Sequence, residues 1–214
     1  GHLQNLLAMP SKIAKVEHHA ALPYRELGAF MADLAQRPGA GARALEFAIL
    51  TAARSGEVRG ATWAEIDMDL ALWTIPGARM KAKNEHCVPL SESAMTLLRS
   101  QARDGDLIFP GAIAGRPLSD MTLTAALRRM GRGDLTAHGF RSTFRDWAAE
   151  QTAYPSEVVE MSLAHTIGNK VEAAYRRGDL IEKRRRLMDD WARFCSTVGP
   201  TAGRVASLRD AKAG

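Results

Sequence analysis

Four side chains that could work on a phosphate group lie near one another in the sequence: His138, Arg141, His165 and Tyr175. An arginine presents a fixed fork of donors that matches two phosphate oxygens, an imidazole can donate or carry a proton near neutral pH, and a phenol can attack phosphorus. One helical turn would place His138 and Arg141 on the same face, where both can address one anion. The combination predicts phosphoryl chemistry, and no thiol, acidic pair or metal-ligand cluster in the sequence competes for the role.

The motifs around these side chains resemble the carboxy-terminal signature of the tyrosine recombinase (phage integrase) family. That signature is carried by HGFR at 138–141, LAH at 163–165 and AYRR at 174–177. Two further phrases, ARSGE at 53–57 and VPLS at 88–91, resemble the branch found in temperate phages and genomic islands. The likeness runs from about Tyr24 to about Phe194 with every motif in the family's order. It is therefore far more specific than any single motif.

The resemblance implies that Tyr175 is the nucleophile of a reaction that cuts DNA through a phosphotyrosine link. Because that link conserves the bond energy, strand exchange needs no cofactor, and we expect neither a cofactor nor a metal ion in the site. A free phenol has a pKa of about 10 and is mostly protonated at pH 7. Nearby cationic donors and a base must therefore activate it.

The resemblance also implies roles for two arginines and two histidines. Arg54 and Arg141 would clamp the non-bridging phosphate oxygens and stabilise the pentacoordinate transition state. His138 would assist proton transfer at the nucleophile, and His165 would donate a hydrogen bond to the scissile phosphate. Glu57 follows Arg54 closely enough to orient the fork of that arginine.

Lys81 is the residue that we expect to protonate the departing 5′-oxygen, because family members carry such a lysine just before the Val-Pro-Leu strand. Lys83 would lie on the same face and is the rival candidate. Without the resemblance, both lysines would be interpreted as solvated surface charges. The basic run KRRR at 183–186 is likewise interpreted as a solvated helix face, with a phosphate contact as the alternative.

A scaffold must position these side chains, and hydrophobic periodicity predicts an α+β domain, mostly α-helical, with one small three-stranded antiparallel sheet. Apolar residues at helical spacing predict helices at about 24–36, 45–52, 91–102, 119–130, 140–147, 155–163 and 187–194. Residues that favour β-structure predict a strand at 72–75, and two more short strands are predicted at 80–83 and 86–88, on either side of Asn84 and Glu85. Lys81 and Lys83 would share a face of the middle strand, because strand side chains alternate. The helix over 45–52 leads directly to Arg54, so a rigid element should deliver that arginine.

Length and composition are compatible with this picture. The chain has 214 residues, of which 46% are hydrophobic, enough for a single domain with one real core. Its formal net charge of +5 suits a polyanionic partner but is too mild to decide the question. Cys87 and Cys195 lack metal-like spacing, so we expect reduced thiols and a cytoplasmic protein, associated with the nucleoid. No apolar run approaches the ~20 residues that a membrane helix needs.

We divide the chain into a linker at 1–22 with a tag remnant at Gly1 and His2, a catalytic domain at 23–198, and a flexible tail at 199–214. This division fits a fragment cut away from preceding DNA-binding domains. The expected partner is double-stranded DNA at attachment sites, with accessory DNA-bending proteins as further partners. We expect a tetramer on DNA and a monomer without it, because the helix over 187–194 can fold back on its own domain.

Three functions compete on the sequence alone. The first is the catalytic domain of a site-specific integrase, which cuts and rejoins DNA to integrate or excise a mobile element. The second is a type IB topoisomerase, which uses a very similar set of residues to relax DNA. The third is a catalytically silent DNA-binding regulator that retains the fold. The complete set of six residues argues against the third, since a binding module gains nothing from keeping a nucleophile.

Overall fold

A computed structural model describes residues 20–165 and 180–198 of the protein. Its helices are α1 Leu27–Ala35, α2 Ala40–Thr51, α3 Ser55–Arg59, α4 Glu92–Arg99, α5 Thr122–Arg129, α6 Gly139–Gln151, α7 Ser156–Ser162 and α8 Ile181–Ser196. Its strands are β1 Ile66–Asp67, β2 Leu72–Ile75 and β3 His86–Pro89. Short 3-10 turns occupy Tyr24–Glu26, Trp63–Glu65 and Gly77–Arg79. The predicted class, helices with one small antiparallel sheet, is confirmed.

Helix α2 is central to the core, because nine of its 12 residues are buried. Leu45, Phe47 and Ile49 are all buried, although they point in different directions around the helix. The ring of Phe47 packs against Trp73 of β2 at 5.3 Å and against Phe109 at 5.6 Å between centroids. Burying each such side chain stabilises the fold by about 1.5–3 kcal/mol relative to exposure. Arg54 therefore follows a helix that is packed into the core along most of its length.

The sheet has the order β1-β2-β3, and both strand pairs are antiparallel. Trp73 in the central strand pairs with Ile66 on one side and with Val88 on the other. The predicted strand at 80–83 is wrong, and β1 takes its place in the sheet. Only one residue of that segment, Met80, reaches the core, so the segment has no alternating apolar face to bury.

The segment 80–83 forms a turn instead. The amide of Lys83 donates to the carbonyl of Met80 at 3.1 Å, and Lys83 has a φ of 60°. The turn folds back on Gly77 so closely that a Cβ there would lie 2.6 Å from the carbonyl oxygen of Lys83. Lys81 and Lys83 therefore do not share a strand face, as the sequence had suggested, but project from an exposed turn before β3.

Helix α8 packs on its own domain through a cluster of aromatic rings. Trp191 is fully buried and meets Phe144 edge-on at 5.2 Å, Trp147 at 5.0 Å and Phe194 at 6.1 Å between centroids. Its indole N–H donates to the carbonyl of Ile49 at 2.8 Å, which satisfies the one polar atom of the ring. The amphipathic helix predicted near the carboxy-terminal end is therefore present and folded back.

The packed part of the chain begins earlier than the predicted boundary at Pro23. Leu22 is buried, and its carbonyl accepts a hydrogen bond from the Thr143 hydroxyl at 2.6 Å. Gly139 allows the chain before it to approach α6, because a Cβ there would lie 2.1 Å from the carbonyl oxygen of Ala20. Within residues 20–165 and 180–198, no helix is long and apolar enough to cross a membrane.

Candidate active site

Arg54 is held at the junction between α2 and α3. Helix α2 ends at Thr51, Ala52 after it has a left-handed φ of 50°, and Arg54 then caps α3 in extended conformation. The carboxylate of Glu57 accepts from the backbone N–H of Arg54 at 2.7 Å and from its guanidinium at 2.8 Å. Glu57 is only 5% exposed, so this carboxylate is a fixed, buried partner. The predicted contact between Glu57 and the arginine fork is present.

Arg141 lies in the first turn of α6 and is almost completely buried, with 4% exposure. Its guanidinium donates to the carbonyl of Ala52 at 2.5 Å and to that of Leu163 at 2.6 Å. Burial, followed by repulsion from Arg54, lowers the pKa of Arg141 to about 10. That value is far above neutral pH, so the group stays cationic in the site. Carbonyl oxygens offset part of the cost of burying the charge.

His165 is positioned by the way in which α7 ends. Ala164 adopts a left-handed φ of 49°, and the amides of Ala164 and His165 donate to the carbonyls of Met161 and Glu160 at 3.0 Å each. This pair of bonds is the Schellman pattern that stops a helix. It turns the His165 ring back toward α6, where Nε2 lies 3.1 Å from a guanidinium nitrogen of Arg141.

Three of the predicted site residues thus converge at the carboxyl end of α7. Arg141 contacts both the Leu163 carbonyl and the His165 ring. Arg54 donates to the Ala164 carbonyl at 3.3 Å, which brings the second guanidinium to the same turn. Two cations and an imidazole at one place form a site suited to a phosphate, because the arginine forks match its oxygens.

The other predicted site residues are His138, Lys81 and Tyr175. His138 is exposed at the start of α6, one turn before Arg141, with helical φ and ψ of −69° and −34°. Lys81 is exposed in the turn before β3. Tyr175, the predicted nucleophile, lies outside the described residues.

His86 belongs to this site although the sequence analysis did not single it out. Burial, followed by repulsion from Arg184 and from the two site arginines, lowers the pKa of His86 to about 4, while a hydrogen bond to the Ser162 backbone acts in the opposite direction. The ring is therefore neutral at physiological pH. The only signal in the sequence was its place two residues before Val88 in the Val-Pro-Leu strand.

The interpretation of the basic run at 183–186 as a solvated face is wrong for Arg184. Its side chain is 2% exposed and donates to the carbonyl of Cys87 in β3, whereas Lys183 and Arg186 are exposed. Helical spacing explains the difference, because Arg184 precedes Leu187 and Met188 on the inner face of α8. The run is thus solvated on one side only.

Known proteins are similar to this chain in sequence and in fold. A model described as "Phage integrase family" matches residues 24–180. Prophage integrase IntA of Escherichia coli (strain K12) is 40% identical over 149 residues, which cover 67% of this chain and 36% of that protein. The integrase from mycobacterium phage Brujita has a similar structure, with a TM-score of 0.61 and 15% identity over 84% of this chain and 63% of that one. XerH site-specific recombinase, solved with its difH substrate in a pre-cleavage complex, gives a TM-score of 0.52 and 17% identity over 73% of this chain and 53% of that one.

The fold is that of an integrase catalytic domain. This chain belongs to the phage integrase family, because the family model covers most of it. The chain spans less than half of the length of the curated relatives that it matches.

Proposed function

We propose that this chain is the catalytic domain of a site-specific DNA recombinase that integrates or excises a mobile element. The observation that carries the proposal is the convergence of Arg54, Arg141 and His165 on one turn, with both guanidinium groups held by buried acceptors. Fixed donors of this kind stabilise a transition state better than mobile ones, because they need no reorganisation during the reaction.

In the proposed reaction the phenol oxygen of Tyr175 attacks phosphorus, and the bond between phosphorus and the 5′-oxygen breaks. The phenol proton passes to His138, and the leaving 5′-oxygen takes a proton from the Lys81 ammonium. Arg54 and Arg141 bind the non-bridging oxygens as charge develops on them. The product is a 3′-phosphotyrosine, which the 5′-hydroxyl of a second strand can attack in the reverse sense to rejoin the DNA.

The proposed partner is double-stranded DNA at attachment sites. XerH, whose structure is similar, was solved with its difH substrate. A tetramer on DNA would bring four such domains together, with accessory DNA-bending proteins as further partners. The protein would then act at the nucleoid. The matched relatives are more than twice as long as the aligned region, so recognition of the site is expected to need segments beyond this domain.

A covalent trapping experiment tests the proposal. A full-length protein carrying this domain is incubated with a nicked attachment-site duplex, without divalent metal or nucleotide, and the products are separated under denaturing conditions. We expect a protein–DNA adduct that disappears in Tyr175→Phe, while that variant still binds DNA. An adduct that persists in Tyr175→Phe would refute the assignment.

The same material separates the two rival functions. Relaxation of supercoiled DNA without exchange between partner duplexes would assign a topoisomerase. DNA binding without any adduct would assign a silent regulator.

A further inference from the structure

Glu160 on α7 holds the ring of His165 from the side opposite to Arg141. Its Oε2 lies 2.6 Å from His165 Nδ1, and its Oε1 lies 2.8 Å from Nε of Arg145 on α6. Both oxygens of the carboxylate are therefore used. Glu160 is only partly exposed, whereas the Arg145 side chain extends to the surface with 63% exposure.

The neighbours of His165 determine which ring nitrogen carries the proton. A guanidinium has donors and no acceptor, so Nε2 of His165, which faces Arg141, must accept. An ionised carboxylate has acceptors and no donor, so Nδ1, which faces Glu160, must carry the hydrogen. In the DNA-free protein these contacts therefore assign the hydrogen of a neutral His165 ring to Nδ1.

This tautomer cannot donate to a phosphate through Nε2. A bound phosphate oxygen is an acceptor, so Nε2 needs a hydrogen of its own once the phosphate replaces Arg141 as its neighbour. Glu160 keeps the hydrogen on Nδ1 in place, because moving it would set a lone pair against the carboxylate. The ring must therefore take up a second proton and become an imidazolium.

We propose that Glu160 is a positioning residue that makes His165 a donor to the scissile phosphate only in its doubly protonated form. The proposal deepens the proposed recombinase function and rests on it. The carboxylate supplies the negative charge that stabilises the imidazolium, and the imidazolium then donates a charge-assisted hydrogen bond from Nε2. Carboxylates that orient a histidine through its other nitrogen act in the same way at many catalytic and metal sites.

Most of the other charged groups near the turn that carries His165 are cations. In the described part of the chain, Arg141 and Arg145 face it from α6, and Arg54 faces it from the start of α3. His86 approaches the same turn from β3 through the Ser162 backbone and is neutral. Glu57 compensates Arg54 but does not touch the ring. Glu160 is the carboxylate in contact with His165, so Glu160→Gln takes away the negative charge beside Nδ1 while a hydrogen-bond acceptor can remain.

The first test is the pH dependence of adduct formation in single-turnover cleavage. Glu160→Gln keeps the shape of the side chain and removes its charge. We expect cleavage close to that of the parent at pH 6 and an approximately tenfold loss at pH 8, because the Glu160 carboxylate is the group that offsets the positive charge of the imidazolium in the proposed complex. In a His165→Gln background, Glu160→Gln should have no further pH-dependent effect. A uniform loss at all pH values would reduce Glu160 to a structural role and overturn the proposal.

Asp146→Asn provides the matched control. Asp146 lies on α6 next to Arg145, is exposed, and has no contact with His165 among the described residues. Its removal changes the net charge by the same amount near the same site. An equal shift of the pH profile in this variant would show that long-range charge, and not the contact, is responsible.

The second test needs no DNA cleavage and so separates this proposal from the proposed function. Ring ¹⁵N chemical shifts of His165 in the DNA-free chain report which nitrogen carries hydrogen. We expect a protonated Nδ1 and an unprotonated Nε2 in the neutral ring, with that preference weakened in Glu160→Gln. Hydrogen on Nε2 in the neutral parent ring would overturn the positioning role, even if the Tyr175 adduct forms. The opposite pattern, the expected tautomer without any adduct, would refute the recombinase function alone.

Discussion

At the scale of single residues, the site is built around a buried cation. Arg141 is held by two carbonyl oxygens, from Ala52 after α2 and from Leu163 after α7, so its fork joins the ends of two helices. A lysine in its place would keep the charge but could not span both acceptors, because an ammonium is a compact point charge on a flexible stem. Replacing Arg141 by lysine therefore tests the placement of the hydrogen-bond donors separately from the positive charge.

Arg141→Lys should lower the rate of adduct formation by about 10²- to 10³-fold, since a preorganised donor to the transition state is lost. DNA binding should change little, because the positive charge remains. The rate of adduct formation is measured by single-turnover cleavage of the nicked duplex. Arg193→Lys, an exposed arginine on α8, is the control and should cleave normally. Normal cleavage by Arg141→Lys would show that charge alone suffices.

Lys81 and Lys83 can be distinguished by the leaving group. If Lys81 protonates the 5′-oxygen, Lys81→Ala should cleave poorly on normal DNA and nearly normally on DNA with a 5′-bridging sulfur, which leaves well without a proton. Lys83→Ala is the matched variant from the same exposed turn. Rescue of Lys83→Ala instead would move the role of general acid to that residue.

At the scale of elements, the helices that were predicted correctly are those with a regular stripe of buried apolar residues. Helix α2 and helix α8 follow from regular apolar spacing, and α2 leads to Arg54 as expected. The turn at 80–83 was not predictable in this way, because only Met80 of that segment is buried and the segment therefore has no apolar face. The environment of His86 depends on contacts between distant segments, and such contacts leave no local pattern. Glu160 contacts His165 only five residues along the chain, but through a helix-ending turn that apolar periodicity does not reveal.

His86 makes the junction between the sheet and α7 sensitive to acid. Its pKa of about 4 in the folded protein lies below the unfolded value of about 6.5, so the unfolded state binds more protons between these values. This contribution to stability is fully present above about pH 6.5 and is lost as the pH falls toward 4. It amounts to about 2 kcal/mol between pH 7 and pH 5.

Urea unfolding at pH 7 and pH 5 tests this prediction. The parent should lose more free energy of unfolding on acidification than His86→Gln, by about 2 kcal/mol, because glutamine does not titrate. The comparison between the two proteins cancels the carboxylates that titrate in both. Equal losses would mean that His86 is not held neutral by the fold.

At the scale of the whole molecule, the described domain covers the apolar face of its last helix by itself. The buried residues of α8 pack on α1, α2, α4 and α7, and Trp191 lies inside the aromatic cluster. The large apolar side chains that are strongly exposed in the described residues are Leu70, Ile113, Met121 and Val198. They lie far apart along the chain, and scattered exposed apolar residues are normal for monomeric proteins.

We therefore predict that the chain is monomeric without DNA. Light scattering in dilute, DNA-free buffer should give a mass near 23.3 kDa. Trp191→Ala should lower the free energy of unfolding by about 3–5 kcal/mol and expose the face of α8, so that association appears only in that variant. Arg193→Ala changes an exposed neighbour on the same helix and should remain monomeric and stable. A stable dimer or tetramer of the parent protein at the same concentration would contradict the prediction, because α8 would then have a partner outside its own domain.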